Sequence, residues 1–193
     1  MDIFTLIKSR RSIRRYKDKP VPKKLVAQVV EAGIWAPSSM NRQPWRFVVV
    51  TGQEEREFFS AEAKVKLMDF INSPEGKKHW PKDVRDRFGK RAKSKDDMIF
   101  YKAPVIIFII RTIDVGDEFD YGLATENMML CAHGLGLGTC PIGLSQFLDD
   151  SKKAREKIGM KSNEKLILSL VLGYPDEKPS PSRRDFSVIS FIE

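Results

Sequence analysis

The sequence has 193 residues, with 34 Lys and Arg against 26 Asp and Glu, so its formal net charge at pH 7 is +8. A chain of this length can bury a core without disulfides, and its longest apolar run, residues 103–110, is far shorter than the ~20 residues of a membrane helix. The two cysteines and an N-terminus unlike a signal peptide predict a reducing, cytoplasmic compartment and no membrane partner.

The positive charge is concentrated in two segments. Residues 10–24 hold eight basic residues and one acid, and residues 77–95 hold nine and two. These segments together carry +14, so the rest of the chain carries −6. Such local clusters predict a phosphate or polyanion site.

Hydrophobic periodicity predicts helices and strands intermixed along the chain. Asp2 can cap the first helix, Pro22 suits the first turn of the second, and Pro37 ends that second helix. Helices are predicted over residues 2–8, 22–36, 54–70, 120–133 and 151–158, and strands over residues 46–51, 105–111, 137–141, 165–174 and 188–192. A charged insertion with prolines is predicted over residues 72–97. This pattern indicates an α/β or α+β class, with a sheet covered by helices on both faces and one domain over residues 1–193.

The glycine-rich segment GLGLGT, residues 134–139, does not have the order of a dinucleotide-binding fingerprint. Its spacing is G-x-G-x-G after a helix and before a strand, whereas the fingerprint G-x-G-x-x-G follows a strand and opens a helix. We interpret it as a glycine helix stop that leads into a strand.

Other common catalytic motifs are missing from the sequence. There is no P-loop, and His79, His133 and the two cysteines lack the spacing of a zinc site. Ser145 lacks the second glycine of a nucleophile elbow, and Cys140 has no histidine partner that the sequence reveals. We therefore predict no metal and name no catalytic residue.

The stretch RRSIRRYKDKPV, which begins at Arg10, predicts an anion site. In an extended segment, Arg10, Ser12 and Arg14 would lie on one side and Arg11 and Arg15 on the other. Two guanidinium groups beside a hydroxyl suit a phosphate. A solvated basic turn that contacts nothing remains the alternative.

A second polar segment, APSSMNRQPWRFVVV, covers residues 36–50. It places Ser38, Ser39, Asn41 and Gln43 in a proline-bracketed loop before a strand, which is typical of a small-molecule site on a rigid scaffold. The alternative is simple turn chemistry, because serine and asparagine also hydrogen-bond to their own backbone.

Together, RRSIRRY, APSSMNRQPWRF, the glycine-rich stretch ending in TCPIG, and the closing LGYPDEKPSPSRR resemble the nitroreductase family of flavin enzymes. RRS-x-R and APS-S-x-N-x-QPW are the specific motifs. The resemblance implies an α+β, nitroreductase-like fold with a central mixed sheet covered by helices on both faces, in an intertwined homodimer with two FMN molecules at the subunit interface. It further implies that NAD(P)H reduces each FMN and that a nitroaromatic, quinone or similar small-molecule acceptor reoxidises it in ping-pong fashion.

The resemblance also implies which residues bind FMN. These are Arg10, Arg11, Ser12 and Arg14 for the phosphate and ribityl chain; Pro37, Ser38, Ser39 and Asn41 from the partner subunit; Pro141, Ile142 and Gly143 against the isoalloxazine; and Arg183 and Arg184 for the phosphate. Some relatives have an acidic residue between the isoleucine and glycine of the PIG stretch. Its absence here leaves the donor to flavin N5 open between Gly143 and Leu144, and residues 64–72 do not align clearly with the family's mid-chain contact to the flavin pyrimidine. A flavin brings its own redox chemistry, so the missing catalytic motifs agree with this interpretation.

Two alternatives remain at this point. The same scaffold can host another flavin reaction, such as reductive dehalogenation or flavin breakdown. A nucleic-acid-binding protein would instead use the basic insertion, with Trp80 and Phe88 as stacking groups. We predict no nucleic-acid partner and interpret the insertion as a solvated lid or peripheral helix.

Overall fold

The computed structural model describes residues 2–113 and 118–192. The chain forms, in order, α1 (Ile3–Ser9), α2 (Lys23–Ile34), β1 (Trp45–Val50), α3 (Gln53–Asn72), α4 (Pro74–His79), α5 (Lys82–Lys93), β2 (Val105–Arg111), α6 (Glu118–Gly134), β3 (Gly138–Ile142), α7 (Lys152–Ile158) and β4 (Lys165–Gly173). All predicted helices and four of the five predicted strands are present, with ends within about two residues of the expected positions. None of the described helices is both long and apolar enough to cross a lipid bilayer.

The residues predicted to begin and end helices have these roles in the structure. The Asp2 carboxylate accepts the backbone N–H groups of Phe4 and Thr5 and caps α1. After α6, Gly136 adopts a left-handed φ of +75° and the chain enters β3 two residues later. The glycine-rich segment is therefore a helix stop, as predicted.

The sheet has the strand order β1-β2-β4-β3. All three pairings are antiparallel, so the expectation of a mixed sheet is wrong for the described residues. The reason lies in the connections. Helix α6 joins β2 to β3, which run in the same direction, but β4 lies between them and is antiparallel to both.

Both faces of the sheet are covered, as expected for so apolar a central strand. Ile106, Phe108 and Ile110 of β2 pack into one core with α3, α5 and α7. Val105, Ile107 and Ile109 point to the other face and pack against α2 and α6. All six side chains are at most 1% exposed.

The charged insertion forms α4 and α5, which agrees with the prediction of peripheral helices. Its two large aromatic residues, Trp80 and Phe88, lie in an aromatic cluster with the core. The ring centroid of Trp80 is 5.1 Å from that of Phe70 and 5.0 Å from that of Phe88, and the centroids of Phe70 and Phe147 are 4.8 Å apart. The hypothesis of a nucleic-acid-binding protein requires Trp80 and Phe88 as exposed rings on which bases stack. In the structure these rings pack against each other and against the core instead.

The predicted strand over residues 188–192 is wrong. These residues form no strand and are exposed, with Ile192 99% exposed. Their apolar, β-branched composition is typical of strands, but a strand also needs a neighbour that accepts its hydrogen bonds. The described part of this single chain provides none for that segment.

Candidate functional site

The basic segment, defined here as residues 10–15, lies along the edge of β3. Ser12 forms an isolated parallel bridge with Thr139, and the Ile13 N–H donates to the Thr139 carbonyl at 2.9 Å. Ile13 is 6% exposed and packs over Gly138. The absence of a side chain at Gly138 is what permits this approach, because an added Cβ would lie 2.6 Å from Ile13 Cγ1.

The two sides of this segment differ as the alternation predicts. Arg14, Ser12 and Arg10 all lie close enough to the Cys140 thiol of β3 to lower its pKa, against the larger effect of burial. Arg11 instead turns toward α1, where its Nη1 donates to the Lys8 carbonyl at 2.7 Å. The structure therefore brings the predicted residues Arg10, Ser12 and Arg14 together, and it places Arg11 beside them with a different orientation.

Two guanidinium nitrogens of this segment lack a hydrogen-bond acceptor within the described part of the chain. The Nε atoms of Arg10 and Arg11 are buried and unpaired in this sense, although Arg10 Nε lies 3.5 Å from Glu126 Oε1. Buried cationic donors normally have hydrogen-bond partners. An anion with several acceptor oxygens fits this arrangement.

The C-terminal segment, defined here as residues 174–192, contacts the basic segment through Glu177. The sequence patterns did not predict a role for this residue. Its carboxylate accepts the backbone N–H groups of Arg14 and Arg15. A bridge between Tyr16 and Pro175 fixes the chain on either side of this contact. No local motif marks Glu177, because its partners are about 160 positions away in the sequence.

A second group that sequence patterns missed is Tyr101, which lies close enough to Arg14 to contribute, after Cys140, to the raised pKa of its guanidinium. Tyr101 and Lys102 have left-handed φ values of +58° and +51°, unusual for residues other than glycine. The Asp97 carboxylate stabilises this turn by accepting the N–H groups of Phe100 and Lys102 at 2.9 and 3.1 Å. This turn presents Tyr101 to Arg14.

Cys140 itself is buried within this group of cations. Burial raises the pKa of its thiol, while Arg14, the hydrogen bond with Ser12 and Arg10 act in the opposite direction. The net rise keeps the thiol protonated at neutral pH.

Pro141, Ile142 and Gly143 lie at the end of β3. Ile142 is buried and Gly143 is exposed, and an added Cβ at Gly143 would meet nothing within 4 Å. The Ser145 hydroxyl donates to the Ile142 carbonyl at 2.7 Å, so this serine supports the turn. The space beside Gly143, just beyond the end of β3, is therefore open.

Pro37, Ser38, Ser39 and Asn41 form a tight loop that the structure does not join to the basic segment. The Ser38 hydroxyl accepts the Gln43 N–H at 2.9 Å, and the Ser39 N–H donates to the buried Asp120 carboxylate at 3.3 Å. Within the described ranges, no hydrogen bond or ion pair connects residues 37–41 to residues 10–14 of the same chain.

Arg183 and Arg184 lie in the exposed C-terminal segment, and within the described residues no hydrogen bond or ion pair joins them to the basic segment. Arg184 donates to the carbonyls of Ser182 and Arg183, its own neighbours. One chain alone therefore brings together the residues of the basic segment and of β3, and leaves residues 37–41 and 183–184 apart from them.

The mid-chain segment that could not be aligned contains Lys64, whose Nζ donates to the carbonyls of Ser94 and Asp96 at 2.9 and 2.7 Å. Lys64 lines a polar cavity of about 720 Å³ together with Tyr16 and Asp97. The Lys64 amine therefore hydrogen-bonds to the last residues of the charged insertion.

Known proteins resemble this chain in sequence and in fold. The family model described as "Nitroreductase family" matches residues 7–174. A 4-nitrobenzoate reductase of a Nocardioides species is 28% identical over 198 aligned residues, covering 89% of this chain and 79% of that protein. A chloronitrobenzene nitroreductase of Comamonas testosteroni is 26% identical over 220 aligned residues, covering 99% and 94%. Among solved structures, a nitroreductase with bound FMN from Bacteroides fragilis is 26% identical, with a TM-score of 0.84 and 100% coverage of both chains.

Proposed function

This chain belongs to the nitroreductase family, and we therefore propose that it is an FMN-dependent oxidoreductase that takes hydride from NAD(P)H and passes electrons to nitroaromatic, quinone or similar acceptors by a ping-pong mechanism. The observation that carries this proposal is the basic segment on the edge of β3. There, buried guanidinium nitrogens without acceptors lie at one end and open space beside Gly143 lies at the other.

We assign the FMN site along this edge. Arg10, Arg11, Ser12 and Arg14 would bind the phosphate and ribityl chain, because guanidinium forks and a hydroxyl suit phosphate oxygens. Residues 141–143 would lie against the isoalloxazine, with the donor to flavin N5 supplied by the backbone N–H of Gly143 or Leu144. Bound FMN supplies the redox chemistry, and these side chains bind and orient it.

The rest of the site would come from a second copy of the chain. Residues 37–41 and the two arginines of the C-terminal segment lie apart from the basic segment within one chain, so we propose that a homodimer completes the site with the partner's residues 37–41. Exposed apolar side chains that a partner would bury support this: Ile3, Phe4, Ile7, Phe186, Val188, Ile189, Phe191 and Ile192. Obligate interfaces of this kind bury more than ~2,000 Å².

Two glycines of the site offer a matched pair of substitutions. We expect Gly138→Ala to displace the basic segment, because the new Cβ would meet Ile13 at 2.6 Å, and therefore to lower both stability and FMN affinity. Gly143→Ala meets nothing in the chain itself, so stability should not change. If FMN lies beside Gly143, this substitution should still weaken FMN binding by about tenfold or more.

Thermal unfolding of the FMN-free proteins and fluorescence titration with FMN measure the two effects separately. Unchanged FMN affinity in a well-folded Gly143→Ala protein would contradict the assignment of the isoalloxazine to this end of β3.

The proposed activity is tested by two half-reactions under anaerobic conditions. We expect NADH or NADPH to bleach the flavin absorption band of the purified protein, and a nitrobenzoate or a quinone, added after the excess donor is removed, to restore it. A halogenated phenol serves as the comparison acceptor for the dehalogenation alternative. A colourless protein that takes up no FMN, or a flavin that neither nicotinamide reduces, would refute the proposal.

A further inference from the structure

A cavity of about 430 Å³ lies at the Arg10 end of the basic segment. Its polar wall includes Ser9, Arg10, Arg11, His133, Glu177 and Lys178. This is the end where the Nε atoms of Arg10 and Arg11 are buried without an acceptor in the described chain. Under the function proposed above, it is where the FMN phosphate would lie.

His133, near the C-terminal end of α6, is a half-buried imidazole in this wall for which neither the sequence nor the proposed mechanism has a role. Its Nε2 lies 2.8 Å from the Ser9 hydroxyl, and that hydroxyl donates to the Leu6 carbonyl at 3.3 Å. A neutral imidazole holds its proton on one ring nitrogen, so the other keeps a lone pair that can accept a second proton.

Charged groups near His133 lie on three elements. They are Arg10 and Arg11 of the basic segment, Glu177 and Lys178 of the C-terminal segment, which line the same cavity, and Glu126 of α6 itself, which lies 3.5 Å from Arg10. Burial, and then Arg10 and Arg11, lower the pKa of His133. In the protein without a bound anion, the ring is therefore neutral at neutral pH.

We propose that His133 is a further member of the phosphate site and that its imidazole takes up a proton from solvent when the FMN phosphate enters beside Arg10 and Arg11. The phosphate dianion offsets the two guanidinium charges and adds negative charge near the ring, so it favours the imidazolium form. The protonated His133 ring then adds a third positive charge, beside those of Arg10 and Arg11, that attracts the phosphate. In this step one N–H bond forms on the ring and the proton leaves hydronium or a buffer acid in solution; no other bond changes.

The proposal fixes the sign of a pH effect. A group that binds a proton more tightly in the complex makes binding stronger as the pH falls through the interval between its free and bound pKa values. FMN affinity should therefore increase as the pH is lowered from neutrality through the bound pKa of His133 toward its lowered free pKa, by up to about tenfold for each unit by which binding raises that pKa. Riboflavin has no phosphate and should show no such change.

Histidine NMR of the unmodified protein measures the effect directly, because the chain has only two histidines, His79 and His133. His79 is exposed at the end of α4 and serves as the internal control, and the spectrum of His79→Gln assigns the two signals. On saturation with FMN, we expect the titration midpoint of His133 to rise by more than about half a unit, and that of His79 to stay unchanged. An unchanged His133 midpoint in the FMN complex would overturn the proposal.

Affinity measurements provide a second test with matched variants. His133→Gln, which can still donate to Ser9, should lose the gain in FMN affinity at low pH, whereas His79→Gln should keep it. Equal pH profiles for both variants would contradict the proposal. If the protein binds no FMN at all, the proposed function fails; if it binds FMN with no response of His133, only this inference fails.

Discussion

Riboflavin is expected to bind at least about a hundredfold more weakly than FMN. The two ligands differ only in the phosphate, and each charge-assisted hydrogen bond to it is worth about 1.5 to 3 kcal/mol. Loss of two such bonds already corresponds to that factor. Isothermal titration of the flavin-free protein with each ligand measures it, and equal affinities would show that the basic segment does not bind the phosphate.

The same measurement identifies the contribution of single arginines. Arg14→Ala should weaken FMN binding by roughly ten- to a hundredfold, because it removes one charge-assisted donor from the cluster around Cys140. Arg15→Ala is the matched control. Arg15 is next in sequence and is as strongly charged, but its Nε donates to the Asp176 carbonyl and its side chain is 68% exposed.

We expect Arg15→Ala to keep nearly normal FMN affinity. Both variants leave the backbone N–H groups that Glu177 accepts in place, so neither should release the C-terminal segment. Equal losses in the two variants would indicate a diffuse effect of positive charge, and the specific role of Arg14 would be rejected.

Much of the fold follows from local patterns in the sequence. The apolar run of β2 predicted a strand buried on both faces, and the structure buries its alternate residues in two separate cores. Strand direction did not follow, because the position of β4 between β2 and β3 depends on the packing of distant segments. The apolar tail was predicted as a strand for the same reason, since a single sequence does not reveal whether a partner strand exists.

Part of the candidate site likewise follows from local sequence patterns, and part depends on contacts between distant segments. The grouping of Arg10, Ser12 and Arg14 follows from the period of an extended chain, and the influence of all three on the pKa of Cys140 is consistent with it. Tyr101, Glu177 and His133 have no local signature. Tyr101 depends on a left-handed turn stabilised by Asp97, and the other two meet the basic segment through contacts across more than 100 positions.

A mixed dimer of two inactive variants is expected to recover half of the FMN sites. One variant carries Arg10→Ala and Arg14→Ala, and the other carries Ser39→Ala and Asn41→Gly. Glycine suits position 41 because Asn41 has a left-handed φ of +52°. The Ser39 N–H that donates to Asp120 is kept in the second variant, so its loop should stay folded.

The recovery follows from two-fold symmetry if each site combines the basic segment of one chain with residues 37–41 of the other. In the mixed dimer, one site then collects both lesions, and the other pairs intact arginines from the second variant with an intact loop from the first. If a single chain supplied both segments, every site would keep one lesion.

This experiment tests most directly the claim that FMN binds between two chains. The variants are co-expressed with different tags, purified in tandem and analysed for bound FMN, with each homodimer as its own control. We predict little FMN in either homodimer and about one FMN per mixed dimer. A well-folded mixed dimer with no FMN would contradict the shared site.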